Sequence, residues 1–547
     1  MKRSLFPSLF ILLMGHGANS QSVGIGTSSP HASSLLEISS TTKGLLMPRM
    51  STAQRTAIGS PAKGLMVFDN DANSIWYHNG SVWVNASSGG WSLTGNAGTN
   101  PASQFFGTTD NQPVRFRLNN QWAGEWNPTS RNYFMGLAAG ASNTSGTGNI
   151  AIGAAALNKN TDRSFLVAMG DSALYNNGQG AVFAIDGTNN IAIGRRALFA
   201  NTIGYDNTAI GYQALAANIE GARSTAVGTM ALMQAVGFGS NTAVGYLSLG
   251  SNTTGGQNTG VGYLSLGSST TAHGNTAIGH NALFASNTGA RNTALGAWAL
   301  LNNTSGQHNV AVGFEALRSG SGSLSHYNTA IGYEALRNTT NSQFNTVIGY
   351  NSGRTYNNGY NNVFVGANNE VNASGLFNVV AVGQAVTITA SSQARIGNAA
   401  TNSIGGHANW SNVSDARFKR NISPNVPGLD FIMRLNPVTY HLDVHAINNA
   451  IYPKERPWMN EDMQMAVAEK SSIRYSGFLA QEVEVAALQT GYDFSGVDAP
   501  KNDKDFYGLR YAEFVVPLVK AMQEQQEMIR LLQEKVQALE RMVAIRE

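Results

Sequence analysis

The chain has no cysteine, which excludes disulfide scaffolds and thiolate metal sites. It is poor in charge as well: 12% of its 547 residues are Asp, Glu, Lys or Arg, where about 25% is usual. With a net charge of +3 and no basic blocks, it offers no footprint for nucleic acid. It also lacks a long apolar run. Leu5 to Met14 is too short to span a bilayer, which takes roughly 20 apolar residues, and no later segment is suited to anchor the chain in a membrane. Histidine clusters at metal spacing and phosphate-binding glycine loops are missing, so neither cofactor nor metal is expected. What the chain has instead is glycine, at 60 of 547 residues against a usual share of about 7%. Such a composition does not describe a string of ordinary globular domains.

Lys2 and Arg3 precede the short apolar run, and Ala18-Asn19-Ser20 supplies small residues of the kind a signal peptidase reads. Residues 1–20 are therefore expected to be a removed secretory signal with Gln21 at the mature N-terminus, which implies a secreted or cell-surface protein.

The middle of the chain is a repeat. "NTAIGYQAL" (Asn207–Leu215), "NTAVGYLSL" (Asn241–Leu249), "NTAIGHNAL" (Asn275–Leu283) and "NVAVGFEAL" (Asn309–Leu317) share one phase. Sixteen glycines mark the register, at 136, 153, 170, 194, 211, 228, 245, 262, 279, 296, 313, 332, 349, 366, 383 and 397. Twelve of their fifteen intervals are 17 residues, and the others are 24, 19 and 14. A unit of this size is too short for a helix pair, and its "TAIG" core alternates like a short strand that ends where the backbone must turn. The Asn before it tolerates left-handed conformations. Stacked in register, such units give asparagine ladders and a continuous column of Ile and Val, that is, a β-solenoid over residues 132–400. At about 4.8 Å per coil the rod is roughly 75 Å long. So thin a coil buries little apolar surface, and three chains are expected to pack along it. The repeat resembles the β-roll head of trimeric autotransporter adhesins and the shafts of phage tail fibres, although the adhesin repeat is usually shorter.

Two features of the rod invite a catalytic or binding reading. Glu315 and Glu334 fall on adjacent coils at a spacing that suits paired carboxylates of a polysaccharide-cleaving enzyme. Arg318 and Arg337 follow three residues after each, which reads better as a solvated ladder of opposite charges. The position after the glycine is Tyr212, Tyr246, Tyr263, Tyr333 and Tyr350, with Phe314 and His280 in the same column. Such an aromatic stripe can bind sugars, but it more often packs coils or chains together.

The flanks differ in kind. Residues 21–90 read as short strands, clearest in "SIWYHNGSVWV" (Ser74–Val84), where Asn79-Gly80 gives the strongest short hairpin signal. The segment Lys43–Asn85 resembles an opening module of secreted fibre-like proteins, and residues 91–131 read as a connector. Towards the other end, 19 of the 267 residues from Arg131 to Gly397 are charged against 35 of the 134 from Ser414 to Glu547, which places a boundary near Val413 after a linker at 401–413. Beyond it, Pro427–Leu442 reads as a short helix then a strand, Ser476–Leu488 as a strand turning into a helix, and Phe514 onward as a long helix. Together they suggest an α+β domain over 414–513 and a helical tail over 514–547. The whole is expected to be mainly β.

"SDARFKRNI" (Ser414–Ile422), "GLDFIMRLNPVTYHL" (Gly428–Leu442), "GFLAQEVE" (Gly477–Glu484) and "YAEFVVPLVKAMQEQ" (Tyr511–Gln525) resemble, in this order, the C-terminal intramolecular chaperone domain of phage endosialidases and tail spikes, a self-cleaving serine peptidase family. Phe418 stands where that family more often has Leu. The resemblance implies a serine–lysine dyad on Ser414 and Lys419 that cuts the Val413–Ser414 bond. A serine hydroxyl beside the preceding carbonyl can attack it if a base takes its proton. A lysine can serve as that base only when neutral, and an ordinary lysine is neutral in well under one molecule in a thousand at pH 7. Burial must therefore lower its pKa by about three units, or roughly 4 kcal/mol, as a closing trimer can do. Asp415 and Arg417 read equally as positioning residues or as solvated charges.

In the last helix Leu518, Met522, Gln525, Ile529, Leu532, Val536, Leu539 and Val543 follow heptad spacing. Their Ile/Val and Leu alternation by itself favours two strands; the rod and the resemblance imply a homotrimer. The sequence thus reads as a secreted, adhesin-like fibre whose C-terminal domain folds it and then releases itself, with a surface glycan or receptor as its partner. The alternatives are a phage-derived receptor-binding tail fibre, against which the signal speaks, and a polysaccharide-degrading tail-spike-like enzyme, against which the scarcity of paired acids speaks.

Overall fold

The computed structural model of the chain describes residues 22–86, 91, 95–318, 325–408, 410–452 and 459–546. The expected signal at 1–20 lies outside them. The chain divides into two compact units, residues 1–107 and 108–547.

In the first unit, Val23–Ile25 pairs in parallel with Leu36–Ile38. A four-stranded sheet follows, in which Arg49–Met50, Met66–Asp69, Ser74–His78 and Trp83–Asn85 are neighbours in chain order. The predicted hairpin forms around Asn79-Gly80, with Tyr77 opposite Val84 and Gly80 at φ 103°, a conformation open to glycine at little cost. A one-and-a-half-turn helix, Thr52–Thr56, is closed by a capping box between Ser51 and Gln54. Its Arg55 reaches the buried Asp69 at 2.8 Å and lies over the Trp76 ring. Burial pushes the Asp69 carboxyl up, but hydrogen bonds from the N–H of Ala72, Arg55, Thr52 and the N–H of Asp71 outweigh it and hold the group at about 2.

The second unit begins with an antiparallel hairpin, Val114–Leu118 and Gln121–Asn127, inside the stretch expected to be a connector. Gln121–Asn127 pairs antiparallel with Asn132–Met135, and from there every pairing is parallel, coil upon coil, to Ala394–Ile396. Each strand of this ladder ends one residue before a glycine of the series. The register is kept through the irregular intervals: Ala168 faces Ala192 across the longer coil as squarely as Ala209 faces Ala226. This is the expected β-solenoid.

Two details stand apart from the sequence reading. The Ile and Val positions form the expected column, and it lies on the outer face: Ile210, Ile278 and Ile348 are about 40% exposed, and the interior is lined by Ala209, Ala214, Leu215 and their equivalents at 0–1%. A three-residue strand turns its two end residues to one side and its middle residue to the other, and the narrow coil has room inside for alanine. The left-handed residue, in turn, precedes the asparagine. Asp206 has φ 55° and Arg291, before Asn292, φ 57°, whereas Asn207 is buried with its side chain spent on neighbours. Its N–H donates to Asn190 Oδ1 at 3.0 Å and its Nδ2 to the carbonyl of Gly221 at 2.8 Å. A second ladder runs through Asn201 and Asn218, where Asn218 Nδ2 donates to Asn201 Oδ1 at 2.7 Å. Buried polar groups carry no large penalty when so satisfied.

The C-terminal domain is α+β. A short helix, Leu429–Ile432, packs on the long helix Val515–Ala544, and the Leu429 N–H donates to Glu524 Oε2 at 2.7 Å. Val438–His441 pairs antiparallel with Arg474–Gly477, and the helix Ala480–Gln489 follows. The core is Phe431, Val483, Ala486, Ala487, Phe494 and Phe514. The insertion within the first hairpin holds two further helices, Val444–Ile451 and Glu461–Ser472.

Candidate functional site

Ser414 begins a segment that curls tightly. Asp415 caps a single 3-10 turn, Ala416–Phe418, by accepting from the Arg417 N–H at 2.9 Å. The same carboxylate takes the Arg417 guanidinium at 2.6 Å. That pairing holds the Asp415 carboxyl below its ordinary range and the Arg417 guanidinium above its own. One turn of 3-10 helix brings the residue five positions on back over the start: Lys419 Nζ donates to Ser414 Oγ at 2.9 Å. A short Asx-type cap is thus the local cause that sets the two expected site residues side by side.

The surroundings are open. Ser414 and Lys419 are exposed, and Val413, Phe418 and Ile422 are 88, 72 and 76% exposed. Apolar side chains so bare on either side of the Ser414–Lys419 pair form an unusual cluster for a finished surface. The pair has the geometry of nucleophile and base, and the apolar flanks present a surface that a further chain can cover.

In the rod, Glu315 and Glu334 lie on adjacent coils as expected, but they are not solvated: they are 5 and 8% exposed. Glu315 pairs with Arg318 at 3.0 Å and also with Arg337, and Glu334 pairs with Arg354 and stands 3.9 Å from Arg337. The charge ladder is buried because its arginines reach across coils and cover the carboxylates, with a guanidinium at each Glu315 oxygen and at Glu334 Oε2.

The aromatic column stacks along the rod. Tyr246 and Tyr263 lie 5.5 Å apart at 14°, Tyr263 and His280 5.1 Å apart at 9°, and Phe314, Tyr333 and Tyr350 are spaced at 5.3 Å. Rings arranged like coins cover one another's faces and leave their edges outward. Sugar rings stack on aromatic faces, so this column serves inter-coil packing. Among the described residues no group of three or more His, Cys, Asp or Glu is placed to hold a metal ion, and no helix is long and apolar enough to cross a membrane.

Sequence reasoning missed the contacts between the C-terminal domain and the last coils. The insertion at 443–472 and the loop at 499–507 both reach residues of the rod, through pairs separated by 67 to 132 positions, and no local pattern announces them.

Comparison with known families gives two matches. Residues 414–491 match the family described as chaperone of endosialidase, and residues 24–101 match a phage tail like trimerisation region. The chain therefore carries an endosialidase-type chaperone domain behind a β-solenoid, with a trimerisation region in front of it. The first match implies self-cleaving peptidase activity at the level of the family, and the two together support a trimeric, tail-fibre-like protein. No curated protein matches the chain.

Proposed function

We propose that three copies of this chain assemble into a fibre, that the C-terminal domain guides the assembly, and that it then cuts itself off at Val413–Ser414. The observation that carries the reading is the 2.9 Å approach of Lys419 Nζ to Ser414 Oγ, at the first residue of the matched chaperone domain. Neutral Lys419 takes the hydroxyl proton as Ser414 Oγ attacks the Val413 carbonyl carbon. The C–N bond breaks, the proton passes to the leaving nitrogen, and the Val413 acyl group rests as an ester on Ser414. Water hydrolyses that ester, leaving a carboxylate on Val413 and a free amine on Ser414.

The trimer is supported by three bare apolar surfaces. Ile210, Ile278, Ile331 and Ile348 line one outer face of the rod. Leu518, Met522, Ile529, Leu532, Val536, Leu539 and Val543 are 41 to 73% exposed along one helix. Leu45 and Leu46, within the matched trimerisation region, are about 70% exposed. Each surface is poorly solvated in a lone chain and satisfied by copies of itself. Closure of three chains over Phe418 and Ile422 supplies the dry surroundings that a neutral lysine requires, so the cut reports completed assembly. The apolar run at Leu5–Met14 supports export, and an adhesin-like role at the cell surface follows from export of such a fibre. Asp415 and Arg417 act as positioning residues, and the segments 21–90, 132–400 and 414–513 serve as entry module, shaft and chaperone. The mass of the purified full chain and the N-terminal sequence of any fragment test the proposal: a fragment that starts at Ser414 is expected, and a chain that stays intact as a trimer leaves only the chaperone role.

A further inference from the structure

The end of the rod is closed by a part of the chain more than 100 positions away. A hairpin, Val497–Asp498 with Gly508–Leu509, carries a loop that reaches back to the last coils. Asn502 Nδ2 donates to the Thr389 carbonyl at 2.9 Å, and Lys504 exchanges two bonds with Asn372, its ammonium donating to the Asn372 carbonyl at 3.2 Å and its carbonyl accepting from Asn372 Nδ2 at 2.9 Å. At the centre lies Asp505. Its side chain is 3% exposed and stands 3.6 Å from Arg395; one oxygen accepts from Thr389 Oγ1, and the other holds the loop through the Lys501 N–H at 3.1 Å. Thr389 is fully buried, and its Oγ1 accepts from the Arg395 guanidinium at 2.7 Å. The insertion adds two contacts to the same end: Tyr452 Oη donates to the Ala385 carbonyl, and the Lys470 ammonium to that of Thr401.

A carboxylate is costly to bury and is kept in a contact when every lone pair is matched there. Asp505 meets that condition only with the loop and the last coil together. The contacts of the loop 501–505 and of Tyr452 involve neither the linker 401–413 nor the Val413–Ser414 peptide bond, and only Lys470 touches the linker, at its first residue. We propose that the loop Lys501–Asp505 is a clamp for the terminal coil that outlasts the cut, so that the C-terminal fragment stays on the fibre end as a noncovalent cap recognised through Asp505. The inference rests on the proposed cleavage for its timing, but its chemistry is that of a docking surface: Thr389, Arg395 and Asn372 on the fibre, and a carboxylate loop on the cap. In a trimer three such clamps act together, and linked weak contacts reinforce one another.

The test uses the full chain after cleavage. Fibre and C-terminal fragment are expected to co-elute in size exclusion at neutral pH. Asp505→Ala is expected to reduce the co-eluting fragment at least tenfold and Asn502→Ala to reduce it less, while Asp503→Ala, an exposed neighbour, leaves it unchanged. In the uncut Ser414→Ala chain, amide exchange over residues 386–396 is expected to be slow and to quicken at least tenfold when Asp505→Ala is added. If the chain does not cut itself, a protease site placed within 401–413 supplies the break, so failure of self-cleavage and failure of the clamp read differently. A wild-type fragment that separates completely from the fibre, or an Asp505→Ala fragment retained as well as wild type with exchange unchanged, overturns the proposal.

Discussion

Lys419 donates a hydrogen bond to Ser414 although both side chains are exposed. A flexible lysine on an open surface has many alternatives; what selects this one is the turn capped by Asp415. The contact is therefore built by the local chain and present before any partner arrives, while the desolvation that the proposed role of the lysine requires must come from elsewhere.

Ser414→Ala and Lys419→Ala are each expected to leave a full-length chain where the unaltered protein splits. The first removes the attacking oxygen. The second removes the base and lowers the rate by about 10²- to 10⁴-fold. Both variants still form trimers, because the core around Phe431 and Phe514 and the long helix are untouched. Intact mass over time reads the outcome; continued cleavage of Ser414→Ala at the same bond rules out this nucleophile.

Asp415→Ala is expected to slow the cut about tenfold and Asp415→Asn much less. Loss of an N-cap costs about 1 kcal/mol, close to the 1.36 kcal/mol that makes a factor of ten in rate, and asparagine can still cap. Equal rates for the two variants show that the Arg417 ion pair, and not the cap, orients the segment.

Gly262→Ala is expected to destabilise the rod by about 3 kcal/mol or more. Gly262 has φ 134°, and an added Cβ lies 2.5 Å from the carbonyl oxygen of Gly279 on the next coil. Strained backbone and overpacking each cost about 1–3 kcal/mol. Thermal unfolding followed by circular dichroism measures it, and an unchanged midpoint contradicts the close stacking.

Burial pushes the Glu370 carboxyl from an ordinary 4.5 up to about 7, against the opposing pull of hydrogen bonds from Thr355 and the backbone N–H of Arg354 and of the Arg354 charge. The folded coil holds this proton more tightly than the unfolded chain does. Its contribution to stability is complete below about pH 4.5, falls as the pH rises, and is gone above about pH 7. The apparent melting point of the last coils is expected to drop by several degrees, up to about 10 °C, over that window through this group, and Glu370→Gln to remove the slope. A slope unchanged by the substitution assigns the dependence to another group.

Ile529→Asp with Leu532→Asp is expected to shift the uncut chain from trimer towards monomer, raising at least tenfold the concentration needed for assembly. Sedimentation velocity decides, and a stable monomer of the unaltered chain sinks the assembly reading altogether.

The solenoid was legible because one backbone demand recurs: a φ near 130° at Gly211, Gly228, Gly245 and onward can be met only by glycine, so the repeat is written in the sequence. The facing of the strand was not legible. In Thr208-Ala209-Ile210 the alternation is plain, but the larger apolar residue suggests the inside, and only the narrowness of the coil turns it out. Ser414 and Lys419 were found through four ordered motifs that resemble a known family, and their spacing becomes a contact through one capped turn. Asp505 and Thr389, 116 positions apart, left no trace, since a single carboxylate in a charged loop looks like any other. The Asp443–Ser472 insertion likewise gave no hint that Tyr452 and Lys470 would meet the rod.

The irregular coils carry a further lesson about growth of such a rod. Asn201 still donates to Asn177 across 24 positions, and Asn177 still reaches the carbonyl of Gly187 ten positions on, where the regular coil takes three from Asn201 to Gly204. The surplus lies at one corner, where Val182 and Phe183 stand 81 and 71% exposed. The two extra residues of the 19-residue interval fall between Arg318 and Ser325, whose carbonyl takes the place of a glycine's for Asn309. Both lengthened coils therefore take up their extra residues in the same stretch of the repeat. A fold that checks its asparagines and strands but not the length between them leaves one seam free to vary, and foreign loops grafted into that seam would be displayed in a line without disturbing the ladder beneath.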